Sequence, residues 1–253
     1  MPAPPPPPAV FARRATLARA WRLLREFGYE QSDPDRFYSA LAEDTAVMVA
    51  DLYGEPLSGA TVLDVGGGPG FFADAFTGRG AQYLSVEPDA GEMHAAGIDH
   101  RTCVRAQGQH LPLRTGSVDV CYSSNVAEHT AAPWAMADEM VRVTRPGGLI
   151  VLSYTLWWGP FGGHETGLMH YLGGHRAARR YTRRHGRLPK NLYGVSLFPI
   201  TAQAGLDWAR RSRGAELCTA FPRYLPRWAW PVVAVPGLRE VAATNLVLVL
   251  RRR

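Results

Sequence analysis

The chain has 253 residues, of which 46% are hydrophobic and 20% are charged, which is the composition of an ordinary globular protein with a sizeable core. The formal net charge is +6, but Lys190 is the only lysine, and this preference for arginine indicates a GC-rich genome more than a surface selected for nucleic acid. The three cysteines are far apart and form no CxxC pair, which argues against a disulfide framework and a zinc site and predicts a cytoplasmic protein.

Two segments precede the first predicted strand. Residues 1–9 are proline-rich and predict a disordered tail that lacks the apolar run of a secretion signal. Residues 10–57 predict an N-terminal helical cap with a second helix at 35–53. Apolar residues recur along the first helix at three- or four-residue spacing: Leu17, Trp21, Leu24 and Phe27. No stretch of the sequence approaches the apolar length of a membrane span.

Strands and helices alternate across the main domain, residues 58–253. Strands are predicted at 61–65, 82–87, 102–106, 118–123, 149–154, 215–220 and 245–250. Helices are predicted at about 71–78, 89–97, 133–144 and 201–212. The alternation predicts right-handed crossovers and an α/β fold with a mostly parallel, doubly wound sheet. The turn Arg145-Pro146-Gly147-Gly148 should stop one helix and lead into the fifth strand.

The most informative motif follows the first strand and reads Asp64-Val65-Gly66-Gly67-Gly68-Pro69-Gly70. Glycine is needed where the backbone bends sharply or lies against a ligand, because it has no Cβ. A strand that runs into such a turn and then into a helix is typical of a loop that binds the polar part of a nucleotide-type cofactor.

The glycine loop alone leaves two cofactors open. Gly68, Gly70 and Ala73 fit the loose G-x-G-x-x-[GA] fingerprint of dinucleotide-binding folds, and Glu87 follows at about the distance expected for a ribose-binding acid. A NAD(P)-dependent oxidoreductase is therefore one interpretation of this motif.

Four other features favour S-adenosylmethionine. Asp64 precedes the glycines in an Asp-x-Gly-x-Gly-x-Gly arrangement, and the Arg-Pro-Gly-Gly turn lies before strand five. Two further segments are Gln107-Gly108-Gln109-His110-Leu111-Pro112-Leu113 and Asn125-Val126-Ala127-Glu128-His129, on either side of strand four. With these motifs, residues 58–154 resemble the class I S-adenosylmethionine-dependent methyltransferases of small-molecule type, and 214–253 resemble them more loosely.

The resemblance implies a Rossmann-like sheet of seven strands with an antiparallel last strand. The N-terminal helical cap and an insertion after strand five complete the predicted architecture. It implies that Asp64, Gly66, Gly67, Gly68 and Gly70 surround the methionine portion of the cofactor. Helix N-termini favour the carboxylate of that portion.

The same resemblance assigns the rest of the cofactor. Glu87 would accept hydrogen bonds from the ribose hydroxyls, and Gln107 and Gly108 would lie near the adenine. Gln107 stands where the family usually has aspartate, although an amide oxygen can still accept a hydrogen bond. Asn125 and Val126 would line the methionine and the transferred methyl group.

Residues 156–200 form an insertion that the resemblance does not cover, and we expect it to determine the substrate. This insertion combines glycines with titratable and aromatic residues. Transfer to a hydroxyl group usually needs a general base, and His164 is the first candidate, followed by Glu165 and His170. Because these residues do not have the spacing of an HExxH helix, the sequence predicts no metal site.

Two surface features could contact a partner. Arginines at 176, 179/180, 183/184 and 187 fall on one helical stripe, which is most simply a solvated face. The aromatic and proline-rich residues 221–230 could form an apolar substrate wall or a packed loop. These features leave a peripheral membrane contact open, disfavour nucleic acid and do not predict an oligomeric state.

The sequence therefore predicts a methyltransferase that uses S-adenosylmethionine, releases S-adenosylhomocysteine and acts on a small-molecule or lipid-like metabolite, with oxygen as the first choice of acceptor. Two alternatives remain open at this point: the NAD(P)-dependent oxidoreductase, and a non-catalytic methyltransferase-like subunit that binds the cofactor for a partner.

Overall fold

Seven strands form one sheet in the computed structural model, which describes residues 9–29, 32–94 and 102–253. The strands are β1 Thr61–Val65, β2 Gln82–Glu87, β3 Cys103–Arg105, β4 Val118–Ser124, β5 Thr144–Thr155, β6 Ala215–Pro222 and β7 Asn245–Arg252. Their order is β3-β2-β1-β4-β5-β7-β6, with β7 antiparallel to both of its neighbours and the remaining pairs parallel. The predicted doubly wound sheet with an antiparallel last strand is confirmed.

Helices surround this sheet. They are α1 Ala9–Arg14, α2 Leu17–Phe27, α3 Pro34–Tyr53, α4 Ala73–Thr77, α5 Ala90–His94, α6 Pro133–Val143, α7 Gly174–His185, α8 Ala202–Arg211 and α9 Leu238–Ala242. Short 3₁₀ segments occupy Ala127–His129, His164–Leu172 and Arg227–Ala234. The predicted tail at 1–9 and the end of the predicted helix at 89–97 lie mostly outside the described residues.

Two apolar layers sandwich the sheet. Alternation along β1 directs Leu63 and Val65 toward the face covered by α6 and α8, and Val62 toward the face covered by α3 and α4. All of these side chains are buried. The carboxyl ends of the parallel strands therefore meet at one edge of a rigid core, which is where open α/β sheets bind ligands.

Local signals explain how the long helix α3 begins and ends. The Asp33 side chain accepts a hydrogen bond from the backbone N–H of Arg36, and Pro34 occupies the first turn. At the other end Gly54 adopts a left-handed φ of 82° and closes the helix through its N–H to Ala50. Since α3 packs on the sheet, the predicted N-terminal helices contribute to the same core as the main domain.

The fifth strand begins earlier in the structure than the sequence predicts. The turn at Arg145-Pro146-Gly147-Gly148 was expected to separate a helix from a strand at 149–154, but α6 ends at Val143 and β5 already begins at Thr144. The pairing with β4 shifts between Val118 and Val120, and Gly147 takes a φ of +75°. The turn motif is therefore an irregularity inside a strand rather than a loop before it.

Helix α2 forms where the spacing predicts it, but its apolar residues lie outside the core. Leu17, Trp21 and Leu24 are 64%, 68% and 49% exposed. The side chains that α2 buries are Arg19 and Leu23. Arg19 is directed inward because Asp44 of α3 accepts two hydrogen bonds from its guanidinium group. No helix among the described residues is long and apolar enough to cross a bilayer.

Candidate active site

The glycine loop, residues 66–70, lies at the carboxyl end of β1 and is packed from both sides. Gly66 has a φ of +83°, and a Cβ at this position would lie 2.4 Å from Cγ2 of Val126. The backbone N–H groups of Gly66 and Gly67 donate to the carbonyl of Val86 at 2.8 and 3.2 Å. The loop is thus joined to β2 and fits closely against the residue that follows β4, so a side chain at Gly66 would clash there.

Glu87 ends β2 beside this loop. Its carboxylate accepts hydrogen bonds from the N–H of Gly68 at 3.1 Å and of Asp89 at 3.0 Å. The residue is only 8% exposed. The structure therefore brings Glu87 and the glycine loop together, as parallel strands ending at one edge require.

Asp64 lies beneath the loop rather than in the open space above it. Its Oδ2 accepts hydrogen bonds from the hydroxyl groups of Tyr83 at 2.7 Å and Tyr122 at 2.5 Å. Burial raises the pKa of Asp64 to about 7, because the two hydroxyl bonds only partly offset the loss of solvation. The sequence predicted that this carboxylate faces the cofactor, whereas strand alternation turns it toward the α3 and α4 face, where the two tyrosines hold it.

Gln107 and Gly108 lie in the loop between β3 and β4. The Gln107 side chain is exposed, and the backbone carbonyl of Gln107 accepts a hydrogen bond from His110 N–H. Gly108 packs so closely on α6 that a Cβ there would lie 2.8 Å from Cγ of Met136. Backbone can therefore approach the edge of the sheet at Gly108, while the amide of Gln107 remains accessible to a ligand.

Asn125 follows β4 with a left-handed φ of 57°, an uncommon conformation for a residue other than glycine. Its Oδ1 accepts a hydrogen bond from Nδ2 of Asn245 at 2.7 Å, and its N–H donates to the carbonyl of Ser153. These two bonds hold the backbone turn, and they place Val126 against Gly66. Asn125 and Val126 therefore adjoin the glycine loop, as the sequence predicts.

A cluster of Glu128, His129 and His164, which we call the Glu–His–His cluster, lies just beyond this turn. Glu128 and His129 belong to the 3₁₀ segment that follows β4, and His164 begins the 3₁₀ segment of the insertion. The ring centroids of the two histidines are 5.0 Å apart. Each of the three side chains contributes one nitrogen or oxygen atom that could bind a metal ion, and these three atoms lie within 4.8 Å of one another.

Hydrogen bonds orient each member of the cluster. Oε1 of Glu128 accepts from Thr155 N–H at 3.1 Å, whereas Oε2 is buried without a hydrogen-bond partner. Nδ1 of His129 lies 2.8 Å from the carbonyl of Ser196. Burial lowers the pKa of His164, and the opposing charge of Glu128 only partly restores it.

The other two predicted catalytic residues lie elsewhere. Glu165 accepts hydrogen bonds from the backbone and side-chain nitrogens of Asn191 at 3.3 and 3.1 Å. His170 is 1% exposed, and its Nδ1 lies 2.7 Å from the carbonyl of Gly167. The geometry favours His164 over both, since the contacts of Glu165 and His170 hold the insertion itself together.

The sequence did not single out Glu128 and His129 as candidate site residues, although the structure places them beside His164. The available signal was their position directly after Asn125 and Val126, at the end of a central strand.

Comparison with known proteins identifies the family to which the chain is similar. Residues 63–152 match the family model described as a methyltransferase domain. An uncharacterized methyltransferase of Mycobacterium sp. (strain KMS) is 66% identical over 249 residues, which cover 96% of this chain and 98% of the relative. One from Mycolicibacterium vanbaalenii is 64% identical and covers 95% of this chain and 97% of the relative.

Solved structures share the fold at lower identity. The S-adenosylmethionine-dependent methyltransferase of Mesorhizobium loti has a TM-score of 0.54 and 21% identity, covering 82% of this chain and 98% of its own. The geranyl diphosphate C-methyltransferase of Streptomyces coelicolor has a TM-score of 0.54 and 15% identity, covering 83% and 75%. These two likenesses extend the agreement in fold over about four fifths of the chain.

Proposed function

This chain belongs to the S-adenosylmethionine-dependent methyltransferases, and from that premise we propose that it methylates an oxygen atom of a small-molecule or lipid-like metabolite. One observation carries the choice of oxygen: the Glu–His–His cluster lies directly after β4, beside the residues proposed to line the methyl group. The family assignment favours methyl transfer over the oxidoreductase alternative.

The edge of the sheet fits the cofactor. A Cβ at Gly67 would lie 2.7 Å from Cβ of Ser85, so this position of the loop has space for backbone only. The proposal assigns the methionine portion to the glycine loop, the ribose to Glu87 and the adenine to Gln107 and Gly108. A carboxylate such as Glu87 suits the ribose because a charged acceptor makes stronger hydrogen bonds with hydroxyl groups. Asp64 lies at the end of β1 below the loop, hydrogen-bonded to Tyr83 and Tyr122.

The chemistry required of the chain's own residues is limited. Bound S-adenosylmethionine supplies a methyl group on a cationic sulfur, and its product is S-adenosylhomocysteine. The protein must align an acceptor oxygen with that methyl and exclude water. A hydroxyl acceptor must also lose its proton as the new oxygen–carbon bond forms. We assign the promotion of this proton loss to the Glu–His–His cluster, because it combines two imidazoles with a buried carboxylate.

A lipid-like substrate is supported by the exposed apolar face of α2. Leu17, Trp21 and Leu24 form a row on this helix, with arginines on its other faces. Phe27, at the end of the helix, packs on Phe161 with ring centroids 4.6 Å apart. A helix with an aromatic and aliphatic face and a basic face suits the interface of a membrane. The face thus extends from a surface suited to lipid toward the insertion that contains His164.

Replacing His164 tests the catalytic proposal. Purified protein would be incubated with isotope-labelled S-adenosylmethionine and with separate aqueous and lipid extracts of the host cell, and labelled products would be assigned by NMR. With the acceptor so found, His164→Ala should lower kcat by about 10²–10⁴-fold, the range of general acid–base effects. Calorimetric affinity for S-adenosylhomocysteine should be unchanged.

Glu165→Gln is the matched control, since Glu165 neighbours His164 but contacts Asn191. Its kcat should stay within a few fold of the wild type. A normal kcat for His164→Ala, or labelling at carbon or nitrogen only, would contradict the proposal. Tight cofactor binding with no transfer to either extract would favour the non-catalytic subunit instead.

Replacing Leu24 tests the membrane contact. Leu24→Ser should weaken binding to anionic phospholipid vesicles by about 10- to 150-fold, because the helix loses a side chain worth about 1.5–3 kcal/mol on burial. Val104→Ser is the control, since Val104 is similarly exposed at 46% but lies on β3. Co-sedimentation with vesicles measures both. Equal binding by the two variants would remove the support for a membrane-facing α2.

A further inference from the structure

We propose that Glu128, His129 and His164 form a binding site for a divalent transition-metal cation, with Zn²⁺ the best-fitting ion. Cation binding follows from the geometry of the cluster alone; its part in catalysis rests on the proposed function. The sequence predicted no metal because no single helix has the required spacing. The cluster instead combines two segments, one after β4 and one in the insertion.

The donor set is the first argument. Two imidazoles and one carboxylate, with a further position open, are the ligands of catalytic zinc sites. The cluster supplies this set, and it is the one group of three such side chains found among the described residues. Its donor atoms lie within 4.8 Å of one another. Bonds of about 2.0–2.2 Å require donors about 3.4 Å apart in a tetrahedron, so side-chain rotation must close the remaining gap.

The tautomers of the histidines are the second argument. Nδ1 of His129 lies 2.8 Å from the carbonyl of Ser196, and Nδ1 of His164 lies 3.4 Å from the carbonyl of Gly162. A carbonyl oxygen only accepts, so these contacts favour the hydrogen on Nδ1 and leave a lone pair on Nε2. Metal-binding histidines are usually oriented in this way by a backbone carbonyl or a carboxylate.

The unpartnered oxygen of Glu128 is the third argument. Glu128 is 1% exposed, and Thr155 N–H satisfies only Oε1. Oε2 is buried and has no hydrogen-bond partner. A buried carboxylate oxygen without a partner is costly, and buried charges are usually paired or bound to metal ions. A cation in the cluster would satisfy Oε2 together with the two imidazole nitrogens.

The backbone of His164 is consistent with a functional position. Its φ is +46°, in the left-handed region that residues other than glycine rarely adopt. Such strain persists where surrounding structure imposes it, often at binding sites. Here the turn before His164 presents the imidazole to the end of β4, and the cation site connects the insertion with the core of the sheet.

A cation held by three protein ligands would have a fourth coordination position open to water or substrate, and this position could take part in the reaction. Zn²⁺ with three protein ligands lowers the pKa of a water in its fourth position to about 7. A hydroxyl acceptor in that position would lose its proton to solvent water near neutral pH. The inference thereby deepens the proposed function, since it favours acceptors whose oxygen can reach a metal ion.

Metal binding can be measured without a substrate. The full chain, prepared without a polyhistidine tag and stripped with a chelator, would be titrated with Co²⁺ and followed by its visible absorption, and then competed with Zn²⁺. The wild type should bind one equivalent. His164→Ala and Glu128→Gln should each bind about 100-fold more weakly or worse, since loss of an outer partner alone costs 10–100-fold.

His185→Ala is the control, because His185 is exposed at the end of α7 and should leave the titration unchanged. Each variant must still bind S-adenosylhomocysteine, which shows that it is folded. A wild type that binds no Co²⁺, or binding that survives both cluster substitutions, would overturn the metal site. If the chain transfers methyl groups at the normal rate after chelation, the catalytic part of the metal inference fails while the proposed function stands. If the chain binds no cofactor, the proposed function fails, and the Co²⁺ titration still decides the cation site.

Discussion

The proposed cofactor side and the proposed substrate side of this molecule meet at the end of β4 but are built in different ways. On the cofactor side, the glycine loop and Glu87 are connected by a hydrogen bond between residues 19 positions apart. On the substrate side, which comprises α2, the Glu–His–His cluster and the insertion, His129 contacts Ser196 across 67 positions, and Arg19 contacts Arg223 across 204. The first is encoded in short motifs, and the second arises only when distant segments pack.

Replacement of Asp44 is expected to have the largest effect, which is a loss of stability on the substrate side that leaves cofactor affinity unchanged. Its carboxylate accepts two hydrogen bonds from the guanidinium of Arg19, and the fully buried guanidinium of Arg223 lies 3.8 Å away. Asp44→Asn should lower the free energy of unfolding by about 3–5 kcal/mol, because buried cations lose their counter-ion. Denaturant unfolding measures this change, and calorimetry should show unaltered affinity of the folded protein for S-adenosylhomocysteine.

Glu43→Gln is the matched control on the same helix. Glu43 pairs with Arg79 at the surface, where its side chain is 57% exposed, and such pairs contribute about 0–1 kcal/mol. If Asp44→Asn abolished cofactor binding in protein that remains folded, the cofactor side and the substrate side would not be independent, and the contrast between them would be wrong.

The second effect belongs to the cofactor side and depends on pH. Asp64 is buried with a pKa raised from 3.8 to about 7, so the folded protein keeps a proton that the unfolded chain releases. The stability linked to that proton is fully present below pH 4 and is lost as the pH rises toward 7, by up to about 4 kcal/mol. Asp64→Asn removes this titrating group. The unfolding free energy of the wild type minus that of the variant should therefore fall as the pH rises from about 4 to 7 and then level off.

Asp119→Asn serves as the control, because its stability difference from the wild type should change with pH in the opposite direction. Burial raises the pKa of Asp119, but hydrogen bonds from Thr61 N–H and Arg145 outweigh it, so the pKa is lowered overall. The wild type should therefore gain stability over this variant as the pH rises through the acidic range. A flat difference for Asp64→Asn would mean that its carboxylate is ionised in the folded protein.

Sequence reasoning succeeded where a local pattern has one physical solution. Apolar runs bounded by turns predicted all seven strands, and Gly66 could be assigned to a sharp bend or close approach because glycine has no Cβ. The structure gives Gly66 a φ of +83° and places it against Val126. Glu87 could be placed beside the loop because adjacent parallel strands end together.

The remaining features depend on packing that spacing does not encode. The apolar row of α2 predicted a helix, but Arg19 turned inward because Asp44, on another helix, is its partner. His164 could not be connected with Glu128, since only the folded insertion brings it back to β4. Asp64 was assigned to the ligand by its motif, although two tyrosines from neighbouring strands hold it below the loop.

The smallest effect sharpens the comparison, because it should weaken the cofactor side without changing the substrate side. Glu87→Gln keeps the size of the side chain but replaces a charged acceptor with a neutral one, and charge-assisted hydrogen bonds are about twice as strong. Affinity for S-adenosylhomocysteine should fall about tenfold, or about 1.4 kcal/mol. Glu216→Gln, an exposed position on β6, should have no effect in the same calorimetric titration. If Co²⁺ binding by the Glu–His–His cluster weakened in Glu87→Gln as well, the charge of Glu87 would be acting across the end of β4, and the two sides would have to be treated as one site.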